Sequence, residues 1–193
     1  MAIARPTKTD LERFARANYF SLSEEESQVF MKRIDSVLTS YEKLEELDFP
    51  RQDLTQRDKG HFPRKEENSF GAWAWKCSVK ERSFGPLTGK RVAIKDSVSV
   101  AGIPLANGSP ILENYVPDED ATIVRRILEA GGEIVGKAQC ENLCVSGGSH
   151  TSYPEPVRNP RNTAYMAGGS SSGSAALLAS GEVDMAIGAD QAG

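Results

Sequence analysis

The chain has 193 residues, 39% of them hydrophobic and 26% charged, with a formal net charge of −4 at pH 7. That length can bury one sizeable core, as one domain or one domain with an appendage, and the charge provides no basic stripe for nucleic acid. No apolar run approaches the roughly 20 residues of a membrane helix, and the N-terminus mixes Arg5, Lys8 and Asp10 without an apolar stretch, so the sequence predicts a cytoplasmic protein with neither membrane nor nucleic acid as partner.

The first 47 or so residues read as helical. A short helix is expected around Asp10 to Ala17. Ser23-Glu24-Glu25-Glu26 is a capping box, in which the Ser23 hydroxyl accepts the N3 amide proton while Glu26 reaches back. Behind it Phe30, Ile34, Val37, Leu38, Tyr41 and Leu44 fall at helical spacing with charged residues between them. Such a stripe is more often packed on the parent domain than used as a dimer contact. Residues 48 to 88 lack clear periodicity and are punctuated by Pro50, Pro63, Pro86, Gly60, Gly71 and Gly85. They read as a connector over the surface, pinned by Phe70, Trp73 and Trp75.

From Leu87 the pattern becomes α/β. Arg91 to Ile94 is a short buried strand. Asp120 to Ala130 is a helix with Ile123, Val124, Ile127 and Leu128 on its apolar face, stopped by Gly131-Gly132. Glu133 to Gly136 is the next strand, and a second short helix is expected from Ala138 to Val145. A third helix runs from Gly173 to Ser180, and a strand from Met185 to Gly188. Strands alternating with helices predict a layered sheet with helices on its faces.

The three cysteines, Cys77, Cys140 and Cys144, are too few for a disulfide framework. Cys140 and Cys144, one helical turn apart, could supply half of a zinc site. The two histidines, His61 and His150, do not complete it, and buried or neutral thiols are the favoured reading.

Two places carry candidate chemistry. Lys95 closes the strand Val92-Ala93-Ile94 and precedes Asp96. Locally it reads as a lysine emerging to solvent or pairing with Asp96. In a water-poor pocket the same ammonium would be disfavoured by desolvation, and a lysine so placed can accept a proton near neutral pH. The second place is Gly168-Gly169-Ser170-Ser171-Ser172-Gly173, a loop that opens a helix. Its glycines permit close backbone approach, and its amides point outward with the positive end of the helix dipole. An anion cradle, a hydrolase serine loop and a flexible connector all fit this pattern. The Walker loop is disfavoured because no Lys follows Gly173, and the dinucleotide fingerprint because no strand precedes Gly168.

Three segments taken together resemble the amidase signature family, serine hydrolases with a Ser–Ser–Lys triad. Leu87-Thr88-Gly89-Lys90-Arg91-Val92-Ala93-Ile94-Lys95-Asp96, continued by Ala101-Gly102-Ile103-Pro104, is similar to the segment bearing the family's lysine. Gly168 to Ala176 is similar to its signature loop, and Asp190-Gln191-Ala192-Gly193 to the lead-in to its nucleophile. The match covers residues 87 to 193 in order and at the family's spacing, with 75 residues from Lys95 to Ser170. Ala192 stands where the pattern usually has glycine, and Ser172 replaces a common loop glycine. The chain as a whole is similar in style to small-amide amidases such as those that work downstream of nitrile hydratases.

The resemblance implies an α/β/α sandwich on a mixed central sheet, preceded by an N-terminal helical region. Residues 1–66 would form the helical region and the start of the connector, and 67–193 the N-terminal part of the amidase signature domain. It implies hydrolysis of a carboxylic acid amide to acid plus ammonia or amine through an acyl-enzyme. Lys95 would be the base and Ser170, on a cis peptide, the bridging serine. The nucleophilic serine would follow Gly193, at position 194, so the remainder of the same polypeptide is an implied partner and this segment alone is expected to be inactive. Backbone amides of Gln191, Ala192 and Gly193 would form the oxyanion hole, Ser171 would support the Lys95–Ser170 geometry, and Cys144 and Ser146 would lie along the acyl pocket. No cofactor and no metal are implied, and a homodimer acting on a small-molecule amide is expected. Two alternatives stay open: the glutaminase subunit of a tRNA-dependent amidotransferase, and a non-catalytic fragment or binding module.

Overall fold

A short mixed sheet organises the larger part of the chain, and the end of its strand at Arg91–Lys95 carries Lys95. The computed structural model describes residues 4–47 and 57–191 and divides into two units, within residues 1–51 and 52–193.

The first unit is a pair of helices, α1 (Lys8–Ala17) and α2 (Glu24–Glu45). Both begin with a capping box, Thr7 with Asp10 and Ser23 with Glu26. A cap of this kind is worth about 0.5–2 kcal/mol. Arg5 reaches Asp35 and Glu42 on α2, and Lys8 pairs with Glu24.

The second unit is built on strands β1 (Trp73–Val79), β2 (Arg91–Lys95), β3 (Glu133–Ala138) and β4 (Met185–Ile187), in the order β1-β3-β2-β4. β2 lies parallel to both β3 and β4, while β1 runs antiparallel to β3. The connections carry α3 (Thr122–Glu129) and α4 (Ser172–Ser180). Alternation along β2 separates two cores. Val92 and Ile94 pack with Val124, Ile127 and Leu128 of α3, whereas Ala93 packs with Ala176 and Leu177 of α4. The sheet therefore lies between helical layers, the α/β sandwich anticipated from the strand–helix alternation.

The expected connector over 48–88 contains a strand. In β1 the bulky residues Trp73, Trp75, Cys77 and Val79 alternate, and Trp73 and Val79 are fully buried. The part of that connector from 48 to 56 lies outside the described residues.

The helix expected from Asp120 begins at Thr122, because the Asp120 carboxylate is taken by Arg57 (2.7 and 2.6 Å) and the Ala101 amide (2.8 Å). Ile123, placed on the apolar face from the sequence, is exposed.

The helix expected over 138–145 is absent. Past β3 the backbone is claimed by tertiary partners: Gln139 donates to Ala72, Gly173 donates to Gln139, and Glu141 donates to Ser170. A single 3-10 turn, Asn142–Cys144, remains, with Leu143 and Cys144 at positive φ.

Candidate active site

Lys95 is the last residue of β2 and shares the α4 face of the sheet with Ala93, so its side chain runs under the loop that opens α4. It is completely buried. Its Nζ donates to Ser170 Oγ at 2.7 Å and to the Ala189 carbonyl at 2.9 Å. The local expectation of a solvent-facing lysine, or one paired with Asp96, is not met. Asp96 points to the opposite face. There it forms a buried ion pair with Lys137 at 3.0 Å and accepts the amides of Ala106 and Asn107 at 3.0 and 2.8 Å.

The serines of the glycine-rich loop each have a different partner. Ser170 follows a cis peptide bond after Gly169. Its hydroxyl lies between Lys95 Nζ and Gln191 Oε1, the latter 3.4 Å away. Ser171 Oγ donates to the Ala189 carbonyl at 3.0 Å and accepts from the Ala189 amide at 3.1 Å. Ser171 thus grips the residue whose carbonyl holds Lys95. Ser172 Oγ donates to the Gln139 carbonyl, and Ser174 Oγ ties α4 to β4 through the Ile187 carbonyl at 2.8 Å.

The glycines have steric reasons. A Cβ on Gly173 would lie 2.4–2.6 Å from backbone atoms of Ala72 and Gln139, and one on Gly188 would lie 2.9 Å from Ser171 Oγ. The flexible-connector reading of the loop is thereby set aside, because these contacts leave it no slack. Gly168, Gly169, Ser170, Ser171, Ala175, Ala189 and Asp190 line an open depression of about 360 Å³.

Glu141 sits behind Ser170. Its amide donates to the Ser170 carbonyl at 3.2 Å, and its buried carboxylate accepts from the Ser146 amide (2.8 Å) and the Thr151 hydroxyl (2.6 Å). Desolvation pushes this carboxyl up, but the hydrogen bonds from Thr151 and Ser146 outweigh it and hold the group below the usual glutamate range.

Of the residues named from sequence, Lys95, Ser170, Ser171 and Gln191 converge. Ala192 and Gly193 lie outside the described residues. Cys144 and Ser146 are engaged elsewhere, the thiol with Asn107 Oδ1 at 3.3 Å and the Ser146 hydroxyl with the Gly148 carbonyl at 3.2 Å. Among the described residues no three His, Cys, Asp or Glu side chains cluster as metal ligands, and no helix is long and apolar enough to cross a membrane.

Sequence reasoning missed Glu141, the Lys137–Asp96 pair and the Ala189 carbonyl. Lys137 bears the same signal as Lys95, a lysine closing an apolar strand. A carbonyl has no signal in the sequence.

A family model described as Amidase matches residues 61–193. The chain belongs to the Amidase family. An enantioselective amidase of Rhodococcus rhodochrous is 53% identical over 133 residues, which are 68% of this chain and 26% of that protein. A glutamyl-tRNA(Gln) amidotransferase subunit from Halobacterium salinarum is 40% identical over 125 residues, 65% of this chain and 30% of its own length. Among solved structures, the corresponding glutamyl-tRNA(Gln) amidotransferase subunit from Thermotoga maritima superposes with a TM-score of 0.57 at 37% identity, covering 62% of this chain and 26% of that one. This amidase-family chain thus spans between a quarter and a third of the length of these relatives.

Proposed function

We propose that the full-length protein hydrolyses a small carboxylic acid amide to acid plus ammonia or amine through an acyl-enzyme. The observation that carries this reading is the 2.7 Å contact between a fully buried lysine and the hydroxyl of Ser170. In the structure Nζ donates to Ser170 Oγ and to the Ala189 carbonyl. To act as base the amine would present its lone pair to the Ser170 hydroxyl while Ala189 kept one N–H.

The serine expected just after Gly193 would attack the amide carbon and pass its proton to Ser170 Oγ, while the Ser170 proton moves to Lys95 Nζ. Collapse of the tetrahedral adduct would return a proton to the leaving nitrogen, and water would then release the acid by the same relay. Backbone amides at Gln191, Ala192 and Gly193 would carry the oxyanion, where one donor is worth about 3–4 kcal/mol. Ser171 would hold the Ala189 carbonyl against Lys95. Cys144 and Ser146 would bound the acyl pocket through their backbone, since their side chains are otherwise engaged.

The remaining features belong to the same reading. Residues 1–66 would be a helical region and connector ahead of the catalytic domain, and the enzyme would be a cytoplasmic homodimer. The segment considered alone would be inactive.

A second reading, the glutaminase subunit of a tRNA-dependent amidotransferase, is favoured by the 40% identity to the Halobacterium salinarum amidotransferase protein. The helical N-terminal region argues mildly against it. One experiment separates them: the purified full-length protein is assayed alone against small aliphatic and aromatic amides and against glutamine. Hydrolysis of small amides without partner subunits supports the first reading. Glutamine hydrolysis that requires partners supports the second, and no turnover of either class overturns both.

A further inference from the structure

Behind the serine loop two tight turns interlock. Asn107 and Gly108 form one, at φ 51° and 66°, and Leu143 and Cys144 form the other, at 52° and 58°. All four lie in the left-handed region that L side chains rarely adopt. The Leu143 amide donates to the Asn107 carbonyl at 3.0 Å, and a Cβ on Gly108 would lie 2.4 Å from the Cys140 carbonyl oxygen. This backbone contact brings two thiols to one atom: Cys140 Sγ lies 3.5 Å and Cys144 Sγ 3.3 Å from Asn107 Oδ1. Cys140 is buried and Cys144 partly exposed. Among the described residues no third metal ligand joins them, and two thiols held at one atom are placed for thiol–disulfide exchange.

We propose that Cys140 and Cys144 form a reversible dithiol–disulfide site for low-molecular-weight disulfides, and that its closure acts on Ser170 through Glu141. The accessible Cys144 attacks as thiolate, its S–H proton passing to the departing small thiol, and a mixed disulfide forms. Cys140 then attacks Cys144 Sγ, and its proton goes to the second departing thiol. Two protein thiols lose two electrons, and one small disulfide is reduced to two thiols. Burial holds the Cys140 thiol protonated, so the order of attack follows from exposure.

Glu141 lies between the two cysteines in the chain, and its amide holds the Ser170 carbonyl at 3.2 Å. Drawing Cys144 onto Cys140 reshapes the turn that carries this bond. Any consequence for hydrolysis rests on the amidase reading; formation of the disulfide does not.

The test treats the full-length protein with oxidised glutathione and maps peptide masses. The peptide holding residues 140–144 should lose the mass of two hydrogens and regain it with dithiothreitol. Cys140→Ser should instead retain a glutathione adduct on Cys144. In the oxidised protein, hydrogen exchange at the Glu141 amide should quicken by about fivefold or more, the loss of one hydrogen bond. Two free thiols after treatment, or a persistent adduct on wild-type Cys144, overturn the site. A disulfide with unchanged Glu141 exchange overturns the link to Ser170. Neither readout depends on amide turnover, so an inactive protein bears on the functional reading alone.

Discussion

Lys95 and Ser170 meet at 2.7 Å across 75 residues of chain. The contact exists because Lys95 ends a central strand on the α4 face while the serine loop opens α4. In the full-length protein Lys95→Ala is expected to lower kcat/KM by about 10²–10⁴-fold, the range for loss of a general base. Lys95→Met, nearer in volume, should do the same with less disturbance of packing. Amide hydrolysis at low substrate concentration checks both, and turnover close to the parent's would refute Lys95 as the base.

Ser171 acts on Lys95 at one remove, through Ala189. Ser171→Ala leaves the Ala189 amide without its partner at 3.1 Å and frees the carbonyl that receives Lys95 Nζ. The expected loss is about tenfold in kcat with KM little changed, equivalent to the ~1.4 kcal/mol of one weakened hydrogen-bond contact. In a Lys95→Ala background the same substitution should have almost no further effect, since both act on one group. Full additivity in that double variant would show that Ser171 works by another route.

Much of this is legible in the sequence, for physical reasons that differ by residue. Strand and helix periodicity and glycine punctuation are local properties, and they locate the strand that ends at Lys95 and the loop that opens α4. Locally, however, Lys95 reads as solvent-facing, and only the three segments taken together point to its role. β1 does not stand out, because Trp73, Trp75, Cys77 and Val79 alternate inside a proline-rich, polar stretch whose composition argues against a strand. The helix expected at 138–145 fails because the backbone of Gln139 and Glu141 bonds to residues distant in sequence, Ala72 and Ser170, which local propensity does not register. Adjacency assigns Asp96 to Lys95, although neighbouring strand residues point to opposite faces. Lys137 is the partner that alternation selects.

That buried pair makes a prediction about stability. Lys137 and Asp96 are 0% and 1% exposed as side chains. Asp96→Asn keeps an acceptor for the Ala106 and Asn107 amides but leaves the Lys137 charge without its counter-ion, an expected loss of about 3–5 kcal/mol. Adding Lys137→Met should recover most of that loss. Urea unfolding of the single and double variants measures it, and an Asp96→Asn midpoint equal to the parent's would show that the pair does not hold the fold.

Glu141 sets a pH dependence. Desolvation raises its pKa, yet the hydrogen bonds from Thr151 and Ser146 bring it below the ordinary glutamate value of 4.5. The folded state therefore binds this proton less readily than the unfolded state. The stabilisation is complete above the unfolded value and is lost as pH falls through 4.5 toward the lower native value. Glu141→Gln should lower stability at neutral pH and flatten the acid limb of the curve. Unfolding midpoints in a series descending from pH 7 test this, and an acid limb as steep as the parent's would assign the dependence to other carboxylates.

Two glycines at the ends of α4 give a paired test of how tightly the serine loop is held. Gly181 closes the helix at φ 77° with nothing within 4 Å of a Cβ placed there. Gly181→Ala therefore incurs only the left-handed penalty, about 1 kcal/mol. Gly173 has the opposite problem: its Cβ would meet the Ala72 carbonyl at 2.4 Å and Gln139 backbone atoms at 2.5 and 2.6 Å. None of these is a side chain that can turn away. Gly173→Ala must push α4 off the sheet, with an overpacking cost of about 1–3 kcal/mol or more. It should also carry Ser170 away from Lys95, because Ser170 lies only three residues before it. Chemical denaturation and amide turnover of both full-length variants should separate them: a modest stability loss with activity retained for Gly181→Ala, and loss of both for Gly173→Ala. Equal activity in the two would mean that the serine loop tolerates movement of its helix.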